Sequence, residues 1–329
     1  MGAGVGLAAF EASPAGAAVP VSKSFDLSAS SLAVMQGTSV HFSQVVMQCF
    51  AFDQVNRHIY VAQVTGSDAT GTYAQHKARG DLTINKLDFA GNYLAWMKVE
   101  GCGHGFSMGV SNNADGSPEI WLEFRADTAN LVDGAAYGRM VTHTPWANSV
   151  TRTADFLATH LHNARPGTYH NSCAIDPTNN RIAIRYQPVL NNAAKKVAIF
   201  KLSDFLASNY GAPLADIALP ASCYTAAQGF TLWGDYLYFL SGAPQTECAG
   251  TQAASTSKLT KINVNSKVVT GPVNTFAFWQ LANREPEGMA IQLFNGTPRL
   301  TFGFAAHDCP DAARTVNIAY KDVLTATAD

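Results

Sequence analysis

Residues 287–292 read EGMAIQ, and after an Asn-Gly-Thr-Pro turn comes a second apolar strand, PRLTFGF, at 298–304. An acid, Glu287, thus opens a strand otherwise bound for a core. The same pattern occurs four times upstream, as QCFAFD (48–53), HGFSMG (104–109), NSCAID (171–176) and QGFTLW (228–233). Each begins with a polar residue, then Gly, Ser or Cys, then apolar, small and apolar positions. Each is followed after a short turn by a second strand, RHIYVAQV, PEIWLEF, NRIAIRY and DYLYFLS in turn. The lead residues are 56, 67, 57 and 59 positions apart, the spacing of a repeated supersecondary unit.

Further strands complete each unit: DLTINKLDFAGNYLAWMKV after the first pair, KKVAIFKLSDFL and PLADIALP after the third, SKLTKINVNSKVVTGPV after the fourth. Roughly 60 residues with about four short strands is the size of a propeller blade. The last unit ends at RTVNIAYKD, one strand short, and the N-terminal SFDLSASSLAVMQG (24–37) can supply the missing strand and leave no blade edge unpaired. The fold expected is all-β, a five-bladed β-propeller closed by its N-terminal strand. An α/β fold would need amphipathic helices between strands, and only TADFLATHLHNA (153–164) hints at one. A β-sandwich does not predict the recurrence.

The chain of 329 residues carries a net charge of −2 with 14% charged residues, so no basic surface suits nucleic acid. No apolar run reaches the ~18 residues that span a bilayer. GAGVGLAAF followed by Ala15-Gly16-Ala17 reads as the remnant of an export signal, so residues 1–22 are set apart and 23–329 form the single propeller. A secreted or cell-surface monomer is expected. Of six cysteines, Cys49 and Cys173 sit in apolar strands as buried thiols, while Cys223 and Cys248 are the candidates for a disulfide.

In a propeller the innermost strand of each blade runs beside the central channel and begins at one mouth. The lead residues Gln48, His104, Asn171, Gln228 and Glu287 should therefore form a polar ring on the axis, each followed by a small residue because five backbones converge there. No cofactor is implied. The ring could take up a cation or water, but one carboxylate, three amides and a histidine are a weak donor set for calcium. Around it, GTYAQHKARGD, a long loop between the second and third strands of the first unit, brings His76, Lys77 and Arg79, and FRADTANLVDGAAYGRM brings Arg125, Tyr137 and Arg139. Tyr169, His170, Arg185 and Tyr186 come from the third unit, and Arg284, Glu285, His307 and Asp308 from the fifth.

His, Tyr and Arg dominate this set. A glycosidase needs two carboxylates across the scissile bond. Glu123, Glu285, Glu287 and Asp308 could supply them, but no motif pairs them. The Arg/Lys content suits an anionic ligand, whose oxygens match the guanidinium fork. His76, Lys77, Arg125, Arg139, Arg185, Arg284, Glu285 and His307 are the candidate ligand-binding residues. His104, Tyr137, His170 and Tyr186 are candidates for base and acid in β-elimination at a uronate. No HExxH, Walker loop or CxxC is present.

MQCFAFDQVNRHIYVAQV, GDLTINKLDFAGNYL, GCGHGFSMGV, AAYGRM, SCAIDPTNNRIAIRY, QGFTLWGDYLY and REPEGMA together resemble the five-bladed propeller of staphylococcal phage receptor-binding proteins. That domain also occurs in teichoic-acid biosynthesis protein C and exported actinobacterial proteins. The resemblance runs in order from about residue 40 to 320. It implies a surface location and a cell-wall or other glycan ligand, with no catalytic mechanism to carry over. This chain departs from it at Cys102, usually aromatic, and in the longer FRADTANLVDG segment. Two functions stay open: a lyase or hydrolase acting on an acidic polysaccharide, and a glycan-binding module without catalysis.

Overall fold

The computed structural model describes residues 18–190, 193–245, 255–307 and 313–325, with the side chain of His307 excepted. The first strand, β1 (Leu32–Thr38), belongs to the last blade. Blade one is β2 (Met47–Asp53), β3 (His58–Val64), β4 (Leu82–Asp88) and β5 (Tyr93–Val99). Blade two is β6 (Gly109–Asn112), β7 (Pro118–Ala126) and β8 (Gly138–Pro145). Then β9 (Val150–Arg152) returns to pair in parallel with β5, and β10 (Leu161–His162) completes blade two. Blade three is β11 (Tyr169–Asp176), β12 (Arg181–Gln187), β13 (Lys196–Lys201) and β14 (Ala215–Ala218). Blade four is β15 (Ala227–Trp233), β16 (Tyr236–Ser241), β17 (Lys258–Asn263) and β18 (Val269–Asn274). Blade five is β19 (Ala282–Phe294), β20 (Thr297–His307) and β21 (Thr315–Lys321), with β1 as its outermost strand, antiparallel to β21. The protein is a five-bladed β-propeller.

Burial explains the sequence pattern. β2 and β12 are buried along their whole length, whereas β18 is mostly exposed. Inner strands lie between two neighbouring blades and so read as unbroken apolar runs rather than alternating ones. Five apolar clusters fill the five wedges between adjacent blades. Tyr60 and Ile84 meet Ile120 and Phe124, Trp121 and Val141 meet Cys173 and Ile184, and Ile199 meets Phe230 and Phe239. Tyr238 meets Phe302, and Ile318 meets Phe50 and Ile59, so the fifth blade packs on the first and the ring is shut. Each large side chain buried in this way contributes about 1.5–3 kcal/mol.

Asparagine and aspartate staple the far end of the blades. Asp53 caps the β2–β3 turn at the N–H groups of Val55 and Asn56 and accepts from Asn112 of blade two. Asp176 caps the β11–β12 turn and accepts from the Gly234 N–H of blade four.

Several expectations need correction. Residues 73–79 form a helix, α1 (Tyr73–Arg79), not a loop, because Thr72 and Gln75 make a capping box and Gly80 ends it in the left-handed region. The hinted helix at 153–164 is only α2 (Ala154–Ala158) before the chain turns into β10. The end of KKVAIFKLSDFL leaves β13 as a short helix, α3 (Leu202–Leu206). In HGFSMG only Gly109 enters a strand, so His104 lies in an irregular approach to blade two. The chain packs before residue 23 as well. Val19 is fully buried and its N–H donates to Asn265, and the Ser22 hydroxyl donates to Asp235 at 2.7 Å. The Ala15-Gly16-Ala17 site lies outside the described residues, as does Cys248, the expected partner of the buried Cys223.

Candidate functional site

In four blades the lead residue sits where the ladder slips: between Met47 and Cys49, between Tyr169 and Ser172, between Ala227 and Gly229, and between Pro286 and Met289. A bulge leaves a residue unpaired and re-aims its side chain. Gln48, Asn171, Gln228 and Glu287 thus leave their strands at the same end of each blade. The residues that follow are small because the backbones meet. A Cβ on Gly229 would come within 2.7 Å of the Gly288 Cα, one on Gly288 within 2.7 Å of the Cys49 Cα, and one on Gly105 within 3.2 Å of the Gln48 Cβ. Asn171 is tied down, donating to the Arg139 carbonyl at 2.9 Å and the Thr168 hydroxyl at 3.1 Å. Glu287 is buried, and loss of water, with Glu285 beside it, holds its carboxyl well above the usual range.

Over blades two and three, at the same end, stands an aromatic row. The Tyr137 ring lies 4.5 Å from His170, nearly parallel at 9°, and 5.1 Å from His104, tilted at 48°. Burial lowers both imidazoles to about 4, helped by Lys77 at His104 and by Lys195 and Arg185 at His170, so both are neutral at pH 7. Burial raises the Tyr137 phenol, and Glu123 adds to the shift. Cations flank the row. Arg139 covers the Tyr169 ring at 4.3 Å, and Arg185 covers Phe106 at 4.1 Å. Lys77 donates to the Asp133 carbonyl at 2.9 Å.

Glu123 is wrapped by backbone. It accepts from the N–H groups of Gly105 and Phe106 and, at 2.7 Å, from Gly138. Burial nonetheless outweighs these donors and raises its carboxyl to about 7. Cys49, Cys102 and Cys173 are buried, and loss of water raises each thiol, so they behave as inert core residues.

The structure therefore gathers His104, Tyr137, His170, Arg139, Arg185 and Lys77 from the sequence-derived set and leaves others aside. Tyr186 alternates with Arg185 on β12 and faces the other way. Its hydroxyl donates to Asp216 on the outer strand β14 at 2.8 Å, so it does not join the row. His76 is fully buried within α1, with Nδ1 2.8 Å from Asp81 and Nε2 3.1 Å from Asp68, as a bracket for the helix rather than a ligand contact. Arg284 is buried, covers Phe304 at 3.8 Å and donates to Ser255, Ser257 and the Thr275 and Ala277 carbonyls, tying blade four to blade five. Arg125 is exposed beside Phe124. Glu285 stays at the blade-five side of the mouth, where burial raises its carboxyl. The side chain of His307, and Asp308 altogether, lie outside the described residues.

Lys195 was not singled out from the sequence. Burial, with Arg185 nearby, lowers its amine to about 8, and it donates to Gln187. Its place in the loop after β12, at the end of blade three where Asn171 leaves β11, was the available signal. Among the described residues no group of three His, Cys, Asp or Glu is arranged to hold a metal.

The chain is a disc of five blades with a polar, partly aromatic mouth at one end of its axis. The chain belongs to the phage 5-bladed beta propeller receptor binding platform domain family, whose model matches residues 46–319. It is 27% identical over 252 residues to the "Putative major teichoic acid biosynthesis protein C" of Bacillus subtilis (strain 168), covering 75% of this chain and 53% of that one. The tail fiber of Staphylococcus aureus phage P68 shares the fold at a TM-score of 0.64 and 17% identity, over 89% of this chain and 53% of that one. This chain thus spans about half the length of each.

Proposed function

We propose that the protein is a cell-surface or secreted glycan-binding platform whose mouth takes up an anionic wall polymer of the teichoic-acid type. The observation that carries the reading is the His104–Tyr137–His170 row, flanked by Arg139, Arg185, Lys195 and Lys77. Flat, uncharged rings present a face on which sugar C–H groups can pack, and the cations meet phosphate or carboxylate oxygens. Membership in a receptor-binding family supports the same reading. The test is retention of the full chain on purified bacterial walls before and after chemical removal of teichoic acid. Retention that survives the removal unchanged sinks it.

A second reading, a lyase or glycoside hydrolase on an acidic polysaccharide, draws on Tyr137 between two neutral imidazoles, which could accept and return a proton. Two features weigh against it. Tyr186 is turned away, and both oxygens of Glu123 are occupied by backbone N–H groups. Mass analysis of acidic glycans after incubation separates the readings, since new unsaturated or shortened fragments appear only with catalysis.

A further inference from the structure

Ser172 and Arg185 are direct cross-strand partners on β11 and β12 and therefore point to the same face of blade three. Arg185 is 6% exposed and Ser172 is 1% exposed. The Arg185 Nε and the Ser172 Oγ are both shut off from water and have no hydrogen-bond partner, and so is the Nδ1 of His104. Among the described residues the Arg185 guanidinium makes no hydrogen bond and no ion pair; it lies over the face of Phe106.

This is unlike Arg284, which is also buried. Arg284 spends its donors on two hydroxyls and two carbonyls, as a structural guanidinium should. Leaving one partner of a buried charged group unpaired costs several kcal/mol, so an enclosed guanidinium without an acceptor from the described residues is suited to take one from a ligand. Glu123 is the nearest candidate inside the protein, but its oxygens are held by the backbone of residues 105, 106 and 138.

We infer that Arg185, Ser172 and His104 form an oxyanion site beside Tyr137 that receives one phosphate or carboxylate group of the ligand. The guanidinium supplies a planar pair of N–H donors, the serine a hydroxyl, and a neutral imidazole an N–H from Nδ1. Because Arg185 is so enclosed, the group that reaches it is a pendant or terminal one rather than the middle of a straight chain. The site deepens the proposed reading and rests on it for the identity of the polymer.

The experiment is a calorimetric titration of the full chain with inorganic phosphate and, separately, with acetate, which tells a tetrahedral anion from a planar one. Saturable uptake of at least one anion, at one site per chain, is expected. Arg185→Met keeps the packing on Phe106 and should weaken that uptake at least ten-fold. Ser172→Ala, a milder change that leaves the core filled, should weaken it several-fold without lowering Tm, and it keeps the test alive if the first variant does not fold. No saturable uptake of either anion, or uptake unchanged in these variants, overturns the site. Wall retention separates this from the broader reading. Walls held equally by wild type and Arg185→Met sink the site alone, while anion uptake at Arg185 without any wall retention sinks the polymer reading alone.

Discussion

The Cα of Gly288 on blade five lies against the Cα of Cys49 on blade one, so close that a Cβ on Gly288 would sit 2.7 Å from it. Gly288 also has φ +74°, a region that L side chains avoid. Both constraints come from five strands meeting at one axis. Gly288→Ala should therefore cost about 2–4 kcal/mol, from backbone strain and from overpacking against main chain that cannot move aside. Chemical denaturation of the two proteins measures it, and a loss under about 1 kcal/mol would mean the axis is looser than described.

Tyr137 stands between His104 and His170 and should matter for its ring rather than its hydroxyl. Tyr137→Phe is expected to hold wall polymer within about two-fold of wild type, since the ring face is kept, whereas Tyr137→Ala should weaken it about ten-fold or more. Equilibrium retention on walls reads both. A severe defect in the phenylalanine variant would favour proton transfer by the phenol, and with it the catalytic reading.

Affinity for a phosphodiester polymer, whose own charge is fixed, should fall as pH rises from 6 to 9. Two groups act in the same direction. Glu123, raised to about 7 by burial, becomes an anion as pH passes that value, and Lys195, lowered to about 8 by burial, loses its positive charge above it. His104 and His170, at about 4, are neutral throughout this window. Arg185, lowered to about 10 by burial, keeps its charge until beyond it. Lys195→Met should flatten the upper part of the profile. An affinity that rises with pH would contradict these assignments.

His76 and Arg284 are expected to act on stability and not on ligand. His76→Ala removes the bracket between Asp68 and Asp81 and leaves two carboxylates without it, and Arg284→Met strands two hydroxyls and two carbonyls between blades four and five. Each should cost about 2–4 kcal/mol. Wall retention measured well below each variant's Tm should match wild type. Selective loss of retention with Tm unchanged would return either residue to the site.

The blade count was legible because the repeat is written in local terms. A polar residue, a small one and an apolar strand recur at a near-constant spacing, and the ring's closure followed from one missing strand, which β1 supplies. That four of the five lead residues leave the ladder, at a bulge in each of those blades, is visible only in strand register. Helix α1 escaped notice since its seven residues are few, and its capping box at Thr72 and Gln75 was read as part of a loop.

What the chain alone determined is the architecture and the kinds of side chain brought to the mouth, since period and polarity are properties of neighbours along the sequence. Only the tertiary structure decided which of those side chains were already satisfied. Arg185 and Tyr186 are adjacent in sequence and face opposite ways, one over Phe106 and one toward Asp216. Arg284 and Arg185 are both buried, yet one has its acceptors supplied by the neighbouring blade and the other has none among the described residues. The partners that separate structure from function come from distant blades, and their positions are set by packing around the axis.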